Sequence, residues 1–179
     1  MKKTRWLLVA AAFGCIAATA FYPVVSDAQG GGLILNGRPH RGTHTLRTGF
    51  TPDPWDFALT AGGGRTPFDL STMRLPNCPR GYTTRRPDFR FNFAAGQTFP
   101  LQRFYVTSQA DALLIINEPN GQYRCNDDHG HSGWGNGLMP SIDYTNPPSG
   151  RYDIWIGTYN LDAHQPAVLH ITELDSNHP

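Results

Sequence analysis

The sequence predicts an all-β sandwich or barrel, and three observations carry that prediction. Apolar and polar residues alternate with a period of two in several short stretches, the signature of half-buried strands. Turn signals built from Gly, Pro and Asn separate these stretches. Beyond the N-terminal segment, no amphipathic helix of about ten residues can be drawn. Many short, evenly spaced strands without helices are the pattern of a sandwich or barrel.

In chain order, residues 29–50 are Gly-rich, polar and without period, and read as a flexible leader. His40 and His44 fall here and are expected to be solvated. Trp55, Phe57 and Leu59 alternate with Asp56, Ala58 and Thr60, which predicts a strand that Ala61-Gly62-Gly63-Gly64 ends. Thr66 to Leu75 can hold another short strand. Pro76 to Pro87 reads as a loop carrying Cys78 and the arginines Arg80, Arg85 and Arg86, either an anion site or a solvated turn. Phe89, Phe91 and Phe93 give the clearest alternation in the chain. Gln102 to Ser108 follows, with Phe104 and Val106 pointing inward. Leu113-Leu114-Ile115-Ile116 is a continuous apolar run, as expected of a strand buried on both faces or in a sandwich core. Pro119-Asn120-Gly121 then turns the chain. Asn-Gly between two extended runs signals a hairpin, because both residues tolerate positive φ. The return strand is Gln122 to Cys125. Gly137 to Thr145 presents Leu138, Ile142 and Tyr144. Arg151 to Tyr159 puts Tyr152, Ile154 and Ile156 on one face, and Val168 to Leu174 closes the domain.

The N-terminus carries its own signal. Lys2, Lys3 and Arg5 precede an apolar run from Trp6 to Ala20, and Ser26-Asp27-Ala28 offers small residues at the positions a signal peptidase reads. Residues 1–28 are therefore expected to be a signal peptide, with the mature protein in the periplasm or outside the cell. An uncleaved anchor and lipidation at Cys15 are the competing readings. The apolar run is shorter than the roughly 20 residues a span needs, and Ala rather than Leu stands three before Cys15. After cleavage Cys78 and Cys125 remain, and an even count in an exported chain predicts a disulfide. Two buried free thiols are the alternative.

Both lysines lie in the signal, so the mature chain uses arginine alone. Residues 29–110 hold ten arginines against four acids, and residues 111–179 hold two against nine. This balance argues against a nucleic-acid protein and favours cations over anions in the C-terminal half.

Candidate chemistry gathers between Asp111 and Trp134. Asn126, Asp127 and Asp128 end the return strand, and with Asp111 they offer oxygen ligands of the kind calcium takes. His129 and His131, if they joined, would suit a transition metal. The plainer reading is that short acidic residues bond their own backbone in turns. Gly130-His131-Ser132-Gly133-Trp134 superficially resembles a serine-hydrolase elbow. The elbow needs glycine two after the serine, where Trp134 stands. Trp134, Trp155, Tyr123 and Tyr159 offer a sugar or peptide platform, against the alternative of core or edge packing. Strand alternation points Trp155 opposite to Ile154 and Ile156, making it the best candidate for an exposed or second-face aromatic.

From about Asp88 to Glu173 the chain resembles the bacterial pre-peptidase C-terminal domain family. The resemblance rests on Asp111-Ala112-Leu113-Leu114-Ile115 with the turn Pro119-Asn120-Gly121, on Asn126-Asp127-Asp128, and on Ser149-Gly150-Arg151-Tyr152-Asp153-Ile154-Trp155-Ile156-Gly157. It implies a jelly-roll-like antiparallel β-sandwich, here one domain over residues 51–175, of the kind that accompanies secreted peptidases and other hydrolases. In some relatives such domains bind calcium or polymeric substrate, and Asp127 and Asp128 match the family's acidic pair. The expected function is an exported, non-catalytic binding or accessory module, calcium-stabilised, with a polysaccharide or polypeptide ligand at Trp134, Trp155 and Tyr159. No nucleic-acid partner is expected, nor a membrane once the signal is cleaved. The rival expectations are a small secreted hydrolase using Ser132 and a periplasmic structural protein without a ligand.

Overall fold

Period-two alternation gives every strand an inner face, and the chain stacks two sheets to bury those faces. The computed structural model describes residues 32–131, 137–161 and 163–179. The expected signal peptide, Ser132 and Trp134 lie outside the described residues. The strands are β1 (Thr43–Arg47), β2 (Trp55–Ala61), β3 (Phe68–Asp69), β4 (Tyr82–Thr83), β5 (Phe89–Ala94), β6 (Leu101–Ser108), β7 (Ala112–Asn117), β8 (Tyr123–Asn126), β9 (Ser141–Thr145), β10 (Gly150–Thr158) and β11 (Gln165–Thr172). One sheet runs β2-β11-β6-β9. The other centres on β10, with β7 and then β8 on one side, and β5 and β1 on the other. The short β4 and β3 extend the β5 side past Thr158.

Between the sheets lies the main core. Phe89, Phe91 and Phe93 of β5, Tyr152, Ile154 and Ile156 of β10, and Leu114 and Ile116 of β7 meet Leu59, Phe104, Val106, Ile142, Leu169 and Ile171. Apolar burial on this scale is the dominant favourable term in holding such a fold. All six residues of β7 are buried, as the continuous apolar run predicts. Their other face explains why. Leu113 and Ile115 join Leu70 and Trp155 in a second cluster on the outside of the β10 sheet, covered by Leu33, Leu35, Phe68, Tyr123 and Cys125.

Several expectations need correction. The segment 29–50 is not an unstructured leader where it is described. Thr43–Arg47 forms β1, Leu46 and Phe50 are buried, and Leu33 and Leu35 pack over Trp155. This strand hid from the sequence because it pairs with β5 in parallel, and only Leu46 in it is fully buried. That parallel pair is also the departure from a purely antiparallel sandwich. Thr66 to Leu75 holds only a two-residue strand before a 3-10 turn, Leu70–Met73, capped by the Asp69 carboxylate accepting from the Ser71 amide at 2.9 Å. In the hairpin only Gly121 takes positive φ, at 82°, and Asn120 does not. The Gly121 amide donates to the Glu118 carbonyl and the Glu118 amide to the Gln122 carbonyl, both at 2.8 Å. Pro119 presets the first turn residue and Gly121 makes the bulge, so the loop is the three residues Pro119-Asn120-Gly121. A second glycine is fixed by the same hairpin. Gly150 has φ +144°, and a Cβ there would lie 2.6 Å from Pro119 Cβ. Two of the motifs that carry the family resemblance therefore touch.

Cys78 and Cys125 form a disulfide, with Cα atoms 4.9 Å apart. It ties the 70s loop to β8, across the outer cluster. Among the described residues no helix is long and apolar enough to cross a membrane.

Candidate functional site

The β7–β8 hairpin brings the acidic residues together. Asp111 stands one residue before β7 and Asp127 one after β8, and the register pairs Leu114 with Asn126. The two strand ends therefore share one end of the sandwich. Carboxylate oxygens of Asp111, Asp127 and Asp128 lie within 4.8 Å of one another. Oδ1 of Asp111 and Oδ1 of Asp127 are both shut off from solvent without a hydrogen-bond donor among the described residues. Two carboxylates can bond each other only through a shared proton. Asp127 is accordingly pushed up to about 7, first by burial, then by the charges of Asp111 and Asp128. Asp111 is also raised, by burial and then by Asp128, with its bond to Asp127 opposing. A proton or a cation relieves this arrangement.

Asn126 is bonded on both sides of its amide. Its Oδ1 accepts from the Ser141 amide at 2.8 Å, and its Nδ2 donates to the Asp128 carbonyl at 3.0 Å. These two bonds shape the loop, so Asn126 positions the carboxylates around it. His129 and His131 stack on each other at 5.9 Å, and the His131 amide donates to His129 Nδ1 at 2.9 Å. Neither belongs to the group of metal-competent side chains.

Of the expected aromatic platform, Trp134 lies outside the described residues and Trp155 is buried. Trp155 does point to the second face, but it is 0% exposed there, and its Nε1 donates to the Arg85 carbonyl at 3.3 Å. Tyr123 packs against it at 6.2 Å. Alternation reveals which face a residue takes and says nothing of a further layer on that face. Tyr159 is 41% exposed. With Tyr82, Leu161, Asn160 and Arg80 it lines a hollow of about 280 Å³, and its amide donates to the Asp111 carbonyl at 3.0 Å. The hollow is thus tied to the acidic cluster through the backbone.

Arg80, Arg85 and Arg86 do not converge. Arg80 lines the Tyr159 hollow, while Arg85 reaches the Gly32 carbonyl and lies over the Phe68 ring. Arg86 acts on His40. Sequence reasoning also missed two constellations, because their members are distant in the chain. His40, Arg41, Asp88 and His164 border one hollow. On the outside of the four-stranded sheet, Asp56 Oδ1 meets His170 Nδ1 at 2.6 Å and His170 Nε2 meets Thr107 Oγ1 at 2.9 Å. The order matches an acid–base–hydroxyl relay. Thr107, however, sits in the ladder opposite Val168, and Tyr105 stacks on the imidazole at 4.4 Å. The relay fixes side chains across three strands.

No protein-family model matches the chain, and no curated protein matches it. Among solved structures, PliG of Aeromonas hydrophila, a periplasmic inhibitor of g-type lysozyme, is similar over 73% of this chain and 96% of its own, at 14% identity and a TM-score of 0.32. A likeness that distant carries no argument about what this chain binds.

Proposed function

We propose that this chain is an exported, non-catalytic binding module whose acidic loop end is organised by calcium held by Asp111, Asp127 and Asp128. The observation that carries the reading is the trio of carboxylates within 4.8 Å, two of whose oxygens are buried without donors among the described residues. Calcium–oxygen bonds of roughly 2.3–2.6 Å let two ligand oxygens on one ion lie up to about 5 Å apart. The donor set, all carboxylate, suits a hard cation and not a thiophilic one. Asn126 supports it from behind. The disulfide supports export, since such bonds persist in oxidising compartments. The resemblance to pre-peptidase C-terminal domains belongs to this proposal and supports an accessory role.

The ligand surface we infer is the hollow beside the cluster. Tyr159 and Leu161 are exposed there and Arg80 has no ion-pair partner among the described residues. A polypeptide fits that mixture of apolar, aromatic and cationic groups better than a polysaccharide, because Trp155 is not available for ring stacking.

Thermal melts in chelator and in calcium test the metal. Calcium at about a hundred times its dissociation constant would stabilise the fold by roughly 2.7 kcal/mol. The expected result is a rise in Tm for the native chain and none for the double variant Asp127→Asn, Asp128→Asn. Equal melts of the native chain in both buffers would refute the site.

A further inference from the structure

We propose that the hollow between the Gly62–Gly64 loop, residues 40–41 and residues 84–88 is a second ligand site, built to take a tetrahedral oxyanion such as a phosphate group. It encloses about 330 Å³ and is lined by His40, Arg41, Gly62, Thr84, Asp88 and His164, among others. That volume exceeds a bare ion and leaves room for the group that bears it.

The first argument is charge. Four arginines of the described chain are committed to carboxylates: Arg90 and Arg151 to Asp153, Arg103 to Asp143 and Asp175, and Arg124 to Glu118. Arg41 and Arg86 have no such partner among the described residues. Both act on His40, whose imidazole is held below its ordinary range by burial and then by Arg86 and Arg41. A cleft with uncompensated cations and apolar walls concentrates anions. Planar guanidiniums match the oxygens of phosphate and sulfate.

The second argument is backbone geometry. Gly62 takes φ +100°, and a Cβ there would lie 3.1 Å from Thr158 Oγ1 and 3.2 Å from His164 Nδ1. Glycine at this position lets the His164 ring lie against the loop and border the hollow. The Gly62 amide is used by the Ile156 carbonyl at 3.1 Å, which fixes the loop to β10 and holds the site in place.

Asp88 is the one acid among these groups, and its place in the fold explains it. On β10 the pairing with β5 ends at Ile154 and that with β4 begins at Thr158. The Ile156 amide falls in the gap and donates to Asp88 Oδ2 at 2.9 Å. The carboxyl therefore completes the sheet. Burial pushes it up to about 7, with the Ile156 amide and Arg41 opposing. The titratable and charged groups that line the hollow are then His40, Arg41, Asp88 and His164, and Arg86 adds its charge through its effect on His40. As pH falls from 8 to 6 Asp88 takes up a proton, so the charge of the lining becomes more positive. Oxyanion binding should tighten in that direction.

Isothermal titration calorimetry with inorganic phosphate, against chloride at matched ionic strength, tests the site. The expected result is saturable binding of phosphate, and of sulfate, whose charge is constant over this range, with sulfate tightening at least about tenfold (about 1.4 kcal/mol) between pH 8 and 6. The double variant Arg41→Gln, Arg86→Gln should weaken it by at least the same factor. Arg41 serves the fold through its backbone amide, bonded to the Asp88 carbonyl at 2.7 Å, and an unchanged melting temperature would confirm that the variant is folded. Glycerol 3-phosphate run beside inorganic phosphate distinguishes an ester-borne group from the free ion by which binds tighter. No saturable heat with either ligand on the native chain overturns the proposal, as does undiminished affinity in the double variant. The site stands apart from the calcium reading. Asp127→Asn, Asp128→Asn should bind phosphate as the native chain does.

Discussion

Trp155 and Tyr159 stand four positions apart, yet one is sealed into a second core and the other lines an open hollow. Their substitutions should separate accordingly. Trp155→Ala removes a fully buried indole and leaves a cavity among Leu70, Leu113 and Ile115, which costs about 3–5 kcal/mol. Tyr159→Ala removes a half-exposed ring and should change stability by no more than about 0.5 kcal/mol. Urea unfolding of both variants checks this, with the slope of the transition compared as well as its midpoint. Comparable losses for the two would mean that Tyr159 packs more tightly than its exposure suggests. At this scale the sequence was half legible. The alternation of Tyr152, Ile154 and Ile156 placed Trp155 on the correct face. Its burial depended on Leu33, Leu35 and Phe68, whose approach no local pattern encodes.

Among the elements, those with strong local signals were readable and those made by pairing were not. β5 and β7 announce themselves by three alternating phenylalanines and a four-residue apolar run. β1 and β4 exist because β5 and β10 offer them an edge. The same contrast holds for the acidic site. Residue types at 126–128 suggested ligands, but only the β7–β8 register could bring Asp111 to Asp127 and divert Asn126 to Ser141. The outer layer on the β10 sheet is held by three kinds of link. The Leu35 carbonyl accepts from Arg90 at 2.5 Å and also from Arg151, and both guanidiniums pair with the buried Asp153. The Ile34 amide reaches the Arg85 carbonyl at 2.7 Å. The disulfide fastens the 70s loop to β8 across 47 positions. A cross-link closing a loop of that size stabilises by roughly 2–4 kcal/mol, chiefly by restricting the unfolded chain. The variant Cys78→Ser, Cys125→Ser should lose about that much, and dithiothreitol should lower the midpoint of the native chain equally. A variant that melts with the native chain would show the outer layer to be held by its packing and its arginine bonds alone.

Across the whole molecule the charge asymmetry of the chain turns inward. β5 and β6, from the Arg-rich half, place Arg90 and Arg103 against Asp153, Asp143 and Asp175 of the acidic half. What is left over is a set of acids whose protonated form burial favours. Asp88 and Asp127 are both raised to about 7 by burial, and Asp111 and Glu173 are raised by the same cause. The sign of the consequence is fixed by proton counting. An unfolded chain releases these protons near pH 4, whereas the folded chain keeps them to a higher pH, about 7 for Asp88 and Asp127. Between those values the native state binds more protons, so stability falls as pH rises. His40 works the other way. Its folded value is lowered, so it costs stability as pH falls below about 6.5. One partly buried imidazole against four raised acids leaves the acids dominant. In chelator, Tm should therefore fall from pH 5 to pH 7.5. Calcium should flatten the part due to Asp111 and Asp127, because the cation holds them ionised in the folded state. Asp127→Asn should flatten that part without calcium. Asp88→Asn, whose amide oxygen can still accept from Ile156, should remove the share due to Asp88 and leave that of Glu173. A chelated protein whose Tm is level or rising across that range would mean that these carboxyls are ionised in the fold, and the case for a cation at the loop end would lose its electrostatic ground.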